Sequence, residues 1–237
     1  MKPRTMTNYR QIIRSVADVF FPRICPVCHS VLNSNERYVC IGCIDDIPVT
    51  HLHREPFNQV EQLLAGKVRI HRASSLFYYT KTCAYAAILH DIKYRNAPLF
   101  AKWITMKLSR ELLDEGFFDG IDVIVPIPLH KSKFAKRGYN QSEYIAKGIS
   151  EITGIIAKTA IVADVPHSTQ THKHRHERWE NTKDIFSVKN PDDIVGKHVL
   201  IVDDVITTGA TITSAALEIE RCGAAKISVL SLALAQL

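Results

Sequence analysis

Four of the six cysteines lie in two pairs near the start of the chain. Each pair has the spacing Cys-x-x-Cys, which lets two thiolates turn back on one ion, and two pairs complete a tetrahedral four-sulfur site for structural zinc. The candidate ligands are Cys25, Cys28, Cys40 and Cys43. Two disulfides or a redox pair are the alternatives, but no export signal is visible and redox pairs normally occur singly. The spacing therefore favours a small zinc-binding module that depends on its metal to fold.

A second group of residues with chemical potential follows the apolar run 198–202. Two adjacent carboxylates, Asp203 and Asp204, come directly after it, and a turn rich in hydroxyl groups follows. The residues of that turn are Thr207, Thr208, Gly209, Ala210 and Thr211. Hydroxyl groups and backbone N–H groups at a helix start suit a monophosphate. The carboxylates could accept hydrogen bonds from sugar hydroxyls, directly or through Mg²⁺. A capped helix with surface carboxylates would not explain two charges at the end of a buried strand.

A third candidate segment is basic. The apolar run 121–127 leads through Pro-x-Pro into a predicted loop with Lys131, Lys133, Lys136 and Arg137, and a helix is expected to start near 140. Together these cations could neutralise a pyrophosphate, although a basic loop can equally be an ordinary solvated surface.

The segment 170–181 is polar and rich in histidine, and we expect it to form a lid over a bound ligand. A metal site built from His172, His174 and His176 is the weaker interpretation, since it rests only on an i, i+2 spacing that suits one face of a strand.

Alternating strand-like and helix-like segments must position these residues. The predicted strands are 75–79, 121–127, 198–202 and 227–234, and the predicted helices are 83–94, 98–113, 140–153 and 210–222. Gly154 is expected to end the third of these helices. This alternation predicts an α/β fold with a doubly wound, mostly parallel sheet. Ligands bind such sheets at the carboxyl ends of the strands, where the acidic pair and the basic segment lie.

Composition limits the class of protein. The chain has 237 residues, 46% of them hydrophobic, and a net charge of +6. These values exclude a largely disordered chain, and no run reaches the roughly 18 apolar residues of a membrane span. We expect a helix at 1–22, the zinc-binding module at 23–65 and the α/β domain at 66–237. The absence of a visible signal peptide predicts a cytoplasmic location, and the pI of about 9.0 favours anionic partners.

The run VLIVDDVITTGAT resembles the phosphoribosyl pyrophosphate (PRPP) loop of type I phosphoribosyltransferases. Together with the cysteine pairs, the Asp-Ile-Lys-Tyr ending at Tyr94, the Arg-Gly-Tyr-Asn-Gln at 137–141 and the Glu-Arg-Trp-Glu-Asn at 177–181, it resembles the ComF family. The resemblance implies that Asp203 and Asp204 hold the ribose 2- and 3-hydroxyls and that the turn holds the 5-phosphate. It implies that Lys93, Arg137 and Arg178 lie on the pyrophosphate or lid side, and it links the protein to natural competence and DNA uptake.

Two functions from different classes remain open at this point. The first is an enzyme that holds PRPP with Mg²⁺ and transfers its phosphoribosyl group, with Lys93 and Arg137 stabilising the departing pyrophosphate. The second is a non-catalytic module that senses PRPP or a nucleotide and handles single-stranded DNA with protein partners, with Tyr139 and Trp179 stacking on the strand between basic residues. The acceptor of the phosphoribosyl group has no readable signature.

Overall fold

A computed structural model describes residues 22–95, 97–163 and 185–236 of the chain. The predicted N-terminal helix, the predicted lid with Arg178 and Trp179, and the three histidines His172, His174 and His176 lie outside these ranges. Within them, no helix combines the length and the apolar character needed to cross a bilayer.

The described part of the chain contains eight α-helices, six strands and two 3-10 helices, Leu52–Arg54 and Pro191–Asp193. The helices are α1 (Ile41–Asp45), α2 (Gln59–Leu64), α3 (Ala86–Tyr94), α4 (Pro98–Leu108), α5 (Arg110–Asp114), α6 (Lys131–Arg137), α7 (Gln141–Thr153) and α8 (Ala210–Arg221). The strands are β1 (Arg72–Tyr79), β2 (Val123–Pro126), β3 (Ile161–Ala163), β4 (Phe186–Val188), β5 (His198–Ile206) and β6 (Lys226–Ala235).

The central sheet has the strand order β1-β6-β5-β2, and all its neighbouring strands are parallel. Its residues alternate between two cores: Leu200 and Val202 of β5 face one, and Val199 and Ile201 face the other. Helices α3, α4 and α7 pack in the first core, and α2 and α8 pack in the second. The predicted doubly wound α/β fold is therefore confirmed. The strands β3 and β4 form a separate antiparallel pair.

Helix α6 corrects the prediction of a basic loop. The His130 side chain accepts a hydrogen bond from the backbone N–H of Ser132 at the start of this helix. Gly138 ends the helix in the left-handed conformation, with φ of +78°. Capping groups at both ends thus define a short helix. The sequence predicted a loop here because positive side chains dominate the segment.

Among the differences from prediction, three concern the elements that surround the site. Strand β5 continues through the acidic pair to Ile206, because Asp203 stays in register with Ser231 of β6. The predicted helix 98–113 is divided at Ser109 into α4 and α5. Helix α2, placed by sequence in the small module, packs into the second core through Val60 and Leu64. The division of the chain at residue 65 stays a prediction.

Candidate functional site

The four predicted zinc ligands converge. The Sγ atoms of Cys25, Cys28, Cys40 and Cys43 all lie within 4.8 Å of one another, and those of Cys28 and Cys40 are 3.6 Å apart. Four sulfurs around one zinc ion at about 2.3 Å stand roughly 3.8 Å apart, so the spacing fits a tetrahedral site. The backbone N–H of Cys25 bonds to the carbonyl of Ser30, which closes the first pair into a tight turn.

The pKa values of two of these thiols are shifted in opposite directions. Hydrogen bonds from Ser30 lower the pKa of Cys28 to about 6, which favours the thiolate that a metal requires. Burial and the neighbouring cysteines raise the pKa of Cys43. A divalent metal would supply the positive charge that stabilises thiolates at such short separations.

The cysteine module packs directly on the α/β domain. The Tyr38 ring stacks on Phe100 of α4, with a centroid distance of 4.9 Å, and makes a tilted contact with Trp103. Val27 and Val39 belong to the same core as α4. The module and the domain therefore share one hydrophobic core.

A cleft of about 300 Å³ lies at the carboxyl ends of β2 and β5. It brings together five of the predicted site residues, namely Lys93, Arg137, Asp203, Asp204 and Thr211. The sheet brings these residues together, because the carboxyl ends of its parallel strands lie at the same edge. Thr207 instead lines a neighbouring open cavity of about 640 Å³, between α2 and the end of β6.

The two adjacent carboxylates differ in their surroundings. The Oδ1 atom of Asp203 accepts hydrogen bonds from the Ser142 hydroxyl at 3.0 Å and from the Asp204 backbone N–H at 2.8 Å. Burial, together with the charge of Asp204, raises the pKa of Asp203 to about 7. Asp204 forms an ion pair with Lys93, whose Nζ is 3.2 Å from Oδ2. The pair therefore places a buried carboxyl group with a raised pKa beside a carboxylate that is paired with a lysine.

The hydroxyl-rich turn leads into α8 as predicted. Gly209 occupies the N-cap position with φ of +74°, and the Thr207 and Thr208 side chains beside it are exposed. The first backbone N–H groups of any α-helix lack intrahelical partners, so they are available to an anion. Helix α2 lies directly behind the turn, because a Cβ atom built on Gly209 would be 3.1 Å from Leu64 Cδ2. The turn is thus supported from below by a buried leucine.

The basic side of the cleft is formed by helix α6, which ends at Arg137. The Arg137 guanidinium donates a hydrogen bond to Gln141 Oε1 at 2.9 Å and lies 5.4 Å from the centre of the Tyr94 ring. Lys133 lines the cleft, whereas Lys131 and Lys136 are exposed on the helix surface without lining it.

Tyr139 does not form the predicted stacking surface. Its residue is only 7% exposed, and its hydroxyl donates a hydrogen bond to the Ile92 carbonyl. The exposed aromatic residues here are Phe134 of α6, at 47%, and Tyr94, at 57%, whose ring lies next to Arg137. The stacking role predicted for Tyr139 is wrong, because its ring is buried and its hydroxyl is bonded to α3.

Sequence reasoning missed the site residue Ser142 and did not foresee the contacts of Asn140. The Ser142 hydroxyl bonds to Asp203, and Asn140 caps α7 with its Oδ1 atom while its Nδ2 atom bonds to the Ile127 carbonyl. The Asn140 bonds tie the end of the β2 segment to the start of α7. The Asn-Gln-Ser run carried a signal for the cap, but nothing in it indicated contact with an aspartate 61 residues away.

Comparison with known families agrees with this geometry. Residues 95–235 match the family described as phosphoribosyl transferase domain, and the chain therefore belongs to that family.

Three named relatives are similar to this chain. DNA utilization protein YhgH of Salmonella typhi is 30% identical over 146 residues, which cover 60% of this chain and 63% of that protein. The protein of the same name from Escherichia coli K12 is 27% identical over 210 residues, covering 87% of this chain and 88% of its own. Competence protein F of Haemophilus influenzae is 33% identical over 114 residues, covering 47% and 50%. The match thus spans slightly less than two thirds of the first relative, and the resemblance predicted from the motifs is confirmed.

Proposed function

We propose that the protein binds PRPP in the cleft at the ends of β2 and β5, and that it transfers or senses the phosphoribosyl group. The observation that carries this proposal is the convergence of an acidic pair, the Thr211 side at the start of α8 and basic side chains in one cleft. Such a combination matches a ligand with sugar hydroxyls, a phosphate and a pyrophosphate.

In this proposal each part of the ligand has its own contacts. The ribose 2- and 3-hydroxyls donate to Asp203 and Asp204, and the 5-phosphate accepts from the turn 207–211. Lys133 and Arg137 face the pyrophosphate and stabilise its charge as the bond to C1 breaks. With only two carboxylates, the acidic pair would hold a divalent metal weakly by itself, so most Mg²⁺ would arrive with the pyrophosphate and neutralise part of its charge. Arg178 remains a prediction for the lid side.

Calorimetric titration of the zinc-loaded protein with PRPP and Mg²⁺ tests the binding. We expect Asp204→Asn to weaken binding at least about tenfold, because a charged acceptor of two hydroxyls is lost. Asp192→Asn, in the exposed turn before β5, is the matched control and should bind as the wild type does. Wild-type protein that binds no PRPP would refute the proposal. Release of pyrophosphate over a panel of nucleobases, dependent on Asp204, would identify an enzyme rather than a sensor.

A second candidate function is the handling of single-stranded DNA, with DNA-uptake proteins as partners. Two observations favour it: the relatives named for DNA utilization and competence, and the exposed rings of Tyr94 and Phe134 beside the basic helix α6. Exposed aromatic and basic side chains together suit a single strand, through stacking and phosphate contacts. A cytoplasmic location remains part of this proposal.

Fluorescence titration with a labelled oligonucleotide at several salt concentrations tests this function. Phe134→Ala should weaken binding about tenfold, since stacking on one base contributes about 1–3 kcal/mol. Phe57→Ala removes an exposed ring in the segment before α2 and is the control. Equal losses in both variants, or binding that does not depend on salt, would contradict the assignment.

A further inference from the structure

Lys93 forms an ion pair with Asp204, so within the cleft it contacts the acidic pair, whereas Lys133 and Arg137 form the basic side. The Lys93 Nζ lies 3.2 Å from Asp204 Oδ2, and both side chains are mostly buried, with 22% and 16% exposure. Lys93 occupies the last turn of α3. A lysine placed for a pyrophosphate would instead be expected beside Lys133 and Arg137 on α6.

The backbone that carries Lys93 is held firmly. Ile92, the preceding residue, is fully buried, and its carbonyl accepts the hydrogen bond from Tyr139. Because Tyr139 follows α6 and precedes α7, this bond links the end of α3 to the segment between β2 and α7. Packing therefore fixes the backbone from which the ammonium group reaches Asp204, as expected of a group with a defined electrostatic role.

The acidic pair needs a positive charge. Asp203 and Asp204 are consecutive, and the hydrogen bonds to Asp203 come from a hydroxyl and a backbone N–H, neither of which is charged. Among the described ion pairs, Lys93 provides the contact to this pair. Arg137, also in the cleft, instead bonds to the neutral Gln141.

We propose that Lys93 is a positioning residue that acts as a built-in cation for the acidic pair, so that its ammonium group and a divalent metal ion compete for Asp204. Building on the proposed sugar-phosphate site, this assigns Lys93 to the ribose side instead of the leaving pyrophosphate. By holding Oδ2, the ammonium turns Oδ1 of Asp204 towards the ribose hydroxyls and offsets the charge that would repel a phosphate.

The proposal predicts changes of opposite sign for two ligands. In Lys93→Met, binding of ribose 5-phosphate without metal should weaken about tenfold, since a neighbouring positive charge is lost from a partly buried site. Binding of Mn²⁺ to the same zinc-loaded variant should become about tenfold tighter, because Asp204 no longer has a competing cation. A purely structural role for the lysine would weaken both.

Calorimetry with ribose 5-phosphate and with PRPP, and Mn²⁺ titration followed by electron paramagnetic resonance, provide the measurements. Lys93→Arg keeps the charge and should stay close to the wild type in the Mn²⁺ titration. Lys102→Met removes another lysine that forms an ion pair, with Glu151, and should change neither ligand. In Lys93→Met/Asp204→Asn, the gain in Mn²⁺ affinity should disappear.

Three outcomes would overturn this assignment. Loss of affinity for both ribose 5-phosphate and Mn²⁺ in Lys93→Met would indicate a structural role. Loss of affinity for PRPP alone would indicate that Lys93 contacts the pyrophosphate. Unchanged affinity for both ribose 5-phosphate and Mn²⁺ would indicate that Lys93 is not part of the site. Wild-type protein that binds neither sugar phosphate would instead refute the proposed function itself.

Discussion

Replacement of Gly209 by alanine tests how closely α2 supports the phosphate turn. The residue has φ of +74°, a conformation that costs a residue with a side chain about 1–2 kcal/mol. Its new Cβ atom would also lie 3.1 Å from Leu64 Cδ2. Leu64 is fully buried, so its methyl group cannot move without disturbing the second core.

The expected loss of stability follows from these two terms. Overpacking against Leu64 should add about 1 kcal/mol to the backbone cost, giving about 2–3 kcal/mol in total. Gly154, at the end of α7, has the same φ of +74°, but no heavy atom of the described residues outside its immediate neighbours lies within 4 Å of a Cβ built there. Gly154→Ala should therefore cost only the backbone term, about 1–2 kcal/mol.

Urea unfolding followed by far-ultraviolet circular dichroism measures both variants in the zinc-loaded protein. Gly209→Ala should be less stable than Gly154→Ala by about 1 kcal/mol. It should also weaken ribose 5-phosphate binding, which Gly154→Ala should leave unchanged. Leu64→Ala alone should cost about 2–5 kcal/mol, and its combination with Gly209→Ala should cost less than the sum, because the added methyl group enters the vacated space.

Two results would refute this reasoning. If the glycine variants lose equal stability, Leu64 does not press on the turn. If the Leu64 and Gly209 substitutions are strictly additive, the two residues do not contact each other.

Three further predictions concern the acidic pair and the cysteine module. The raised pKa of Asp203 means that the folded protein retains a proton that the unfolded chain releases, so stability should fall as pH rises from about 4 to about 7. Urea unfolding across this range should show a smaller decline in Asp203→Asn, and parallel declines would contradict the assignment. Tyr38→Ala removes the stack on Phe100 and should cost about 2 kcal/mol while speeding zinc transfer to a chelator; an unchanged transfer rate would separate the stack from the metal site. Cys28→Ser should reduce bound zinc, measured by mass spectrometry, from one equivalent to near none, and retention of a full equivalent would exclude the four-sulfur site.

The site is built from elements that are distant in the chain. Lys93 comes from α3, Ser142 from α7 and the acidic pair from β5, and the parallel sheet brings them to one edge. Helix α2 adds a support from the other face of the sheet. This arrangement explains why substitutions in the second core, far from the cleft in sequence, should alter phosphate binding.

The features readable from sequence are those that neighbouring residues determine. The cysteine spacing predicted a convergent cluster because two residues between ligands allow only a tight turn. Gly154 marked the end of α7 because few other residues adopt a positive φ at low cost. The hydroxyl-rich turn was correctly predicted to lead into α8, because an apolar run and a helix start flank this region, although β5 itself includes the acidic pair.

Tertiary structure decided which side chains meet and which remain in solvent. Tyr139 and Tyr94 are both tyrosines beside basic residues, yet packing buries the first and exposes the second. Lys93 carries the same charge as Lys133, but only the direction of α3 brings it to Asp204. Such pairings depend on how the helices pack on the sheet, and residue type and local spacing do not determine that packing.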